Sequence, residues 1–285
     1  MACKTPDDLT VRSFTFFKIF NLEICTHCYL DIIKQMFYNK HMKILARGDR
    51  LAYLSREQIE QIGEEIVRWY KQALVPEKHL CYCVDPTELA SLLGYTIDYQ
   101  YLTMDGSILG KTASNKMWIT VYTADKTEIL YELDDRTILI EKRLLFSPRN
   151  AGRKNFTIAH ELAHQIINRR FPEVNIGEEG LFCDHRRSVK LHNQVSDWRE
   201  WQADALAASI LLPADAIKDA MFLFGLGEKM TVLSRKYSRR KYDHFCDMAE
   251  YMQVSKTALA YRMERLGLLQ RNLLVKEALA RKGAV

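Results

Sequence analysis

No apolar run in this chain reaches the roughly 18 residues that a membrane-spanning helix requires, so a spanning helix is not expected. Nor does the N-terminus read as a secretory leader. The apolar stretch Ser13–Leu30 is broken by Lys18 and Glu23, and no small-residue cleavage site follows it. Charge of one sign is weak: 41 basic residues oppose 36 acidic ones, a formal +5. That balance does not imply nucleic acid and would only help docking onto an acidic partner. A disulfide framework is absent too. The seven cysteines (Cys3, Cys25, Cys28, Cys81, Cys83, Cys183 and Cys246) are odd in number and irregularly spaced. Reduced thiols and a cytoplasmic location are the simpler reading. No internal repeat or low-complexity segment stands out.

What is present is an ordinary globular composition, 48% hydrophobic and 27% charged, in a chain of 285 residues. That length builds one large domain or two small ones. Residues 1–50 are aromatic and Cys-rich with no clean period, and read as an N-terminal extension. Met42 reads as an internal restart, because the pattern turns regular just after it. From Ser55 to Leu74, Ile59, Ile62, Ile66, Trp69 and Tyr70 recur at helical spacing. Asp85-Pro86-Thr87-Glu88 supplies an N-cap, a proline at the first helical position and an acid three residues on; Gly94 supplies the stop. A short helix over 86–93 follows.

Segments 95–102, 117–122, 128–133 and 136–141 are rich in Ile, Val, Tyr and Thr, with turn residues between them, and predict a small, mostly antiparallel sheet. From Asn155 the chain reads as helical to near its end, broken at Gly177, Gly180, Pro213, Gly225 and Gly267. The order helices, sheet, helices predicts an α+β fold. The expected divisions are an extension at 1–50, an α+β domain at 51–225 and a C-terminal helical, helix-turn-helix-like region at 226–285.

His160-Glu161-Leu162-Ala163-His164 is the pattern H-E-x-x-H. On a helix, residues four apart share a face, so both imidazoles can bind one ion. Glu161 lies beside them and can activate the attacking water as a general base. Chance or packed histidines would explain the same letters. The apolar surface of Phe156, Ala159, Leu162, Ala163, Ile166 and Ile167 argues instead for a core-facing helix.

A catalytic zinc needs a third protein ligand and one open position. The extended pattern with Gly at 167 and His at 170 is excluded by Ile167 and Arg170. Glu200, His185 and His192 compete for the place. Zinc accepts carboxylate or imidazole, so chemistry alone does not choose. Glu200 opens a stretch with Ala203, Ala205, Ala207 and Ala208, whose small side chains let two helices approach closely. Asp204 follows one turn later, where it can orient a ligating His. His185 and His192 fall in a stretch that reads as an exposed loop. The expected ligands are therefore His160, His164 and Glu200, with Asp204 behind them.

Three segments carry a resemblance. Asn155 to His164 is similar to the F-T-L-A-H-E-L-G-H core of the ImmA/IrrE metallopeptidases. Glu200 to Pro213 resembles that family's E-x-x-A-N/D-x-F-A-A-x-L-L-M-P segment, and Val254 to Leu268 resembles its V-S-x-x-A-x-x-x-R-L-x-x-L-G-L ending. The likeness covers about residues 55–270. Ala163, Leu206 and Leu212 replace the usual Gly, Phe and Met, and none of these removes a chemical group. The stretch 171–199 is longer than the pattern leads one to expect. The resemblance implies a zincin-like domain with a gluzincin-like site of His160, His164 and Glu200, one Zn²⁺ per chain, and Glu161 as base. It also implies a cytosolic peptidase whose substrate is a helix-turn-helix repressor. No oxyanion donor is identified; Arg262 and the tyrosines near it are the weak candidates.

Other features carry less. Cys25-Thr26-His27-Cys28 has C-x-x-C spacing, but Cys81 and Cys83 do not supply the second pair of a structural zinc site. Cys183 and His185 read as loop residues without a role. Phe245–Leu268 reads as helix, turn, helix, with Ser255 as N-cap and Tyr261 and Leu266 as core positions. Packing explains it better than DNA binding, since base-reading residues are few and Arg235 to Lys241 reads as a solvated loop. Two functional classes remain: a peptidase, or a regulatory module that keeps the fold but acts by contact with DNA or a partner. An intact Glu161 favours the first.

Overall fold

A computed structural model describes residues 45–46, 52–73, 83–171, 182–186 and 196–273. The chain divides into two compact units, Met1–Lys40 and His41–Val285, and every described residue lies in the second. Cys3, Cys25, Cys28, Cys81 and His192 fall outside the described residues.

The class is α+β, as expected. A two-residue ladder pairs β1 (Leu45–Ala46) with β2 (Ala52–Tyr53). Helix α1 (Arg56–Ala73) starts on a reciprocal cap: Gln58 N donates to Ser55 Oγ at 3.2 Å, and Ser55 N donates to Gln58 Oε1 at 2.7 Å. Its buried stripe is Ile59, Ile62, Ile66, Val67 and Tyr70. Helix α2 (Pro86–Leu92) is capped as the sequence predicts, with Asp85 Oδ1 accepting from Thr87 N and Glu88 N.

Four strands form the main sheet in the order β3 (Thr96–Gln100), β7 (Thr137–Glu141), β4 (Ile108–Ala113), β8 (Phe182–Arg186). β3 and β7 run parallel, while β4 is antiparallel to both β7 and β8. The strands β5 (Met117–Tyr122) and β6 (Glu128–Leu133) make a separate antiparallel hairpin. The sequence placed β3, β5, β6 and β7 but not β4, whose Gly110 and Lys111 interrupt the apolar signal.

Helix α3 (Ala151–Arg170) packs across the sheet and against α4 (Ser196–Leu211). Helices α5 (Ala214–Leu223), α6 (Arg239–Tyr251) and α7 (Lys256–Arg265) follow. The expectation of helix alone after Asn155 needs correction. β8 joins the main sheet, and β9 (Met230–Leu233) pairs in parallel with β10 (Leu269–Asn272). Phe182–Arg186 and Leu269–Asn272 are mostly polar and lack the β-branched residues that mark the strands between 96 and 141.

One apolar cluster runs from Ala159 through Ala207, Ile217 and Met221 to Phe245, Leu259 and Met263, so it spans position 225. The α6–α7 turn seats on α3, where a Cβ at Gly152 would stand 2.6 Å from Val254 C and Ser255 N. Tyr261, expected in the core, is 54% exposed, and Leu266 is half-buried. The buried residues of α7 are Leu259, Ala260, Arg262 and Met263. No helix among the described residues is long and apolar enough to cross a membrane.

Candidate metal centre

The middle of α3 is buried on every side, from Thr157 to Ile167. A helix enclosed in this way can hold imidazoles in fixed rotamers, because sheet, α4 and the C-terminal helices surround it. Two local contacts set its height over the sheet. Gln165 Nε2 donates to the carbonyl of Ala113 at 2.8 Å and to Thr112 Oγ1, both on β4. On α4, Gln202 Oε1 accepts from Leu54 N at 2.8 Å and ties that helix to the start of α1. A Cβ at Gly63 of α1 would lie 2.3 Å from Ser209 Oγ, so only glycine lets α1 and α4 approach this closely.

Within this frame His160, His164 and Glu200 converge. His160 Nε2 stands 3.0 Å from His164 Nε2 and 3.1 Å from Glu200 Oε2. His164 Nε2 stands 3.3 Å from Glu200 Oε1. A tetrahedral site with bonds of about 2.0–2.1 Å separates its ligand atoms by about 3.3 Å. The three groups therefore already have the spacing of a zinc-type site. Both imidazoles are buried, whereas the Glu200 side chain is 31% exposed, so the cluster opens to solvent on one side. Of the three candidates for third ligand, Glu200 is the one among the described side chains that meets the pair.

Charge in the cluster is arranged for a cation. Burial pulls the His160 imidazole down, but hydrogen bonds to Asp204 and Glu200 outweigh it and push its pKa up to about 10. Burial lowers His164, and the charge of His160 adds to that. Burial alone would raise Glu200, yet the two imidazoles hold its carboxyl well below the usual carboxylate range. Behind His160, Asp204 Oδ1 lies 2.8 Å from Nδ1. That contact fixes the tautomer that leaves Nε2 directed at the cluster.

Glu161 is fully buried on the sheet side of α3. A Cβ at Gly110 of β4 would stand 2.6 Å from Glu161 Oε1 and 2.8 Å from Thr157 Cγ2. Gly110 is thus a position of close approach to Glu161 that the sequence reading missed. A glycine inside a strand-length segment is a signal of close approach, but it is legible only once the strand is recognised.

Two sequence expectations change here. Arg262 is not available as an oxyanion donor: its Nε donates to Leu212 O at 3.0 Å, and its guanidinium is paired with Glu60. Cys183 and His185 are strand residues, not loop residues, opposite Thr112 and Gly110 in the β4–β8 ladder. Their side chains are not described. Cys83 and Cys246 are thiols outside any disulfide.

The profile of the IrrE N-terminal-like domain (Peptidase_M78) matches residues 116–264. No curated protein matches the chain. The matched span begins just before β5 and ends within α7, so it includes His160, Glu161, His164, Glu200 and Asp204, while β4 and Gly110 precede it. Since the match covers more than half of the sequence and includes the whole cluster, the chain belongs to the IrrE N-terminal-like (Peptidase_M78) family of peptidases.

Proposed function

We propose that this chain is a zinc-dependent endopeptidase with a zincin-like catalytic domain, acting in the cytoplasm on a helix-turn-helix repressor. The observation that carries the chemistry is the convergence of His160, His164 and Glu200 beside a buried carboxylate, Glu161. His160, His164 and Glu200 would hold a zinc ion, which would supply a water of near-neutral pKa and a Lewis acid for the scissile carbonyl. Glu161 takes the proton of the attacking water and passes it to the leaving amine. Asp204 holds the His160 ring in register for both steps. A module acting by contact alone has no use for a base in that position.

The substrate class rests on the family resemblance, a weaker warrant than the site chemistry. One cut, or very few, is expected in a small helix-turn-helix repressor encoded beside this chain, with little activity on casein. Glu161→Gln keeps about one zinc per chain, because the ligands remain. It should lower cleavage by about 10²–10⁴-fold, the usual worth of a positioned base. Metal content and mass spectrometry of the products read the two outcomes separately. Wild-type cleavage by Glu161→Gln would sink the mechanism. Rapid digestion of casein, or no cut in the neighbouring repressor with zinc bound, would sink the substrate.

A further inference from the structure

The main sheet has an unexpected occupant at the edge nearest Glu161. β4 is the strand that approaches Glu161 so closely that a Cβ at Gly110 would meet its carboxylate. One side of β4 is paired with β7, and the other with β8. The β8 ladder runs antiparallel over Phe182–Arg186 and places His185 opposite Gly110, with an irregularity between Ile108 and Gly110. Among the described residues β8 is the last strand of that sheet, and β4 is its one strand partner. β8 also belongs to the connection between α3 and α4, the two helices that carry the proposed ligands.

A peptide must lie extended for its scissile bond to reach a base at a sheet edge. If it paired directly with β4, its backbone would take the line β8 now takes, one strand from Gly110. If it paired with the outer edge of β8, it would lie about 4.8 Å further away. A general base works at about 2.6–3.2 Å, or through one water, so the nearer line suits the chemistry and the farther one does not.

We propose that β8 is a built-in competitor. It fills the peptide position on β4, and an extended peptide segment reaches Glu161 by exchanging with it. The proposal rests on the peptidase reading above. Displacement releases the five residues of β8 from β4, and the incoming peptide takes over the same backbone hydrogen bonds. A strand from the connection between the ligand-bearing helices thereby sets the access of substrate, which fits a peptidase that spares most proteins.

The test reads binding, so it does not depend on turnover. The probe is a fluorescein-labelled peptide of residues 181–187, Leu-Phe-Cys-Asp-His-Arg-Arg, added to the zinc-loaded full chain carrying Glu161→Gln. Adjacent residues of an edge strand point their N–H groups alternately inward and outward. Of Cys183→Pro and Asp184→Pro, one therefore breaks a bond to β4 and the other leaves the ladder intact but blocks the outer edge. The inward proline is expected to tighten peptide binding at least tenfold, and the outward one to leave it unchanged. Hydrogen exchange in the chain without either proline gives an answer that does not depend on how the variants fold. Saturating peptide should speed exchange of the amides of residues 182–186 at least tenfold as β8 is displaced. Slower exchange there, or weaker binding with the outward proline, would make β8 a platform and overturn the proposal. So would no change in exchange together with no gain in either variant. Failure of the peptidase reading looks different: no cleavage by the chain with Glu161 intact, whatever β8 does.

Discussion

Asp204 Oδ1 lies 2.8 Å from Nδ1 of His160, on the side of the ring opposite the nitrogen that faces His164 and Glu200. The carboxylate lies outside the cluster of His160, His164 and Glu200. It acts through the imidazole, which it orients and makes more basic.

Asp204→Asn should therefore weaken zinc binding by about 10–100-fold, the usual effect of losing such a partner. Activity at saturating zinc should fall less. Glu200→Ala should lose affinity and activity together, because it removes a ligand. Competition with a chromophoric chelator measures both affinities. Unchanged affinity in Asp204→Asn would leave the carboxylate with no positioning role.

The close approach of β4 gives a second prediction. An alanine at position 110 needs the space that Glu161 Oε1 and Thr157 Cγ2 occupy. Gly110→Ala should displace the base while leaving the ligand helices in place. Cleavage should drop by more than about tenfold, since a displacement near 1 Å in a catalytic group costs up to about 10²-fold. Zinc content should stay near one per chain. Wild-type cleavage rates in the purified variant would show that the base does not depend on this gap.

The contrast between His160 and Gly110 explains what a sequence can show here. His160, Glu161 and His164 sit within one helical turn, so their geometry is written in local spacing. Glu200 and Asp204 share a second helix and show the same local logic. Gly110 acquires meaning only from the packing of β4 against α3. β8, β9 and β10 are equally non-local, because their hydrogen bonds go to residues far along the chain. Arg262 was misread for a related reason. Its partner Glu60 lies 202 positions away, so nothing local marks it as buried.

A third prediction concerns the N-terminus. Every ligand candidate brought together here lies in the unit His41–Val285. A chain beginning at Met42 should fold, bind one zinc and cut the same bond at a similar rate. An insoluble or metal-free product would make residues 1–41 part of the catalytic fold.

The last prediction concerns stability and pH through Glu60 and Arg262. Arg262 is 3% exposed, so its charge needs a partner. Glu60 Oε2 accepts from Arg262 Nη2 at 2.7 Å and from Ser209 Oγ at 3.0 Å, which joins α1, α4 and α7. Burial works to raise the Glu60 pKa, but the hydrogen bonds and charge of Arg262 overcome it and leave the carboxyl below its ordinary value. A carboxylate depressed in the folded state stabilises the fold above its unfolded pKa of about 4.3, and that contribution is lost as pH falls through the folded value. Glu60→Gln keeps the shape and removes the charge. It should cost about 2 kcal/mol at pH 7, less than the about 3–5 of a fully buried broken pair, because Glu60 is partly exposed and Arg262 keeps its bond to Leu212 O. As pH falls from the unfolded value toward the lower folded one, the wild type loses this contribution, so the gap should narrow. Urea denaturation of both proteins at pH 7, 5 and 3.5 measures it. A gap that stays constant across that range would mean that the pair contributes through shape alone.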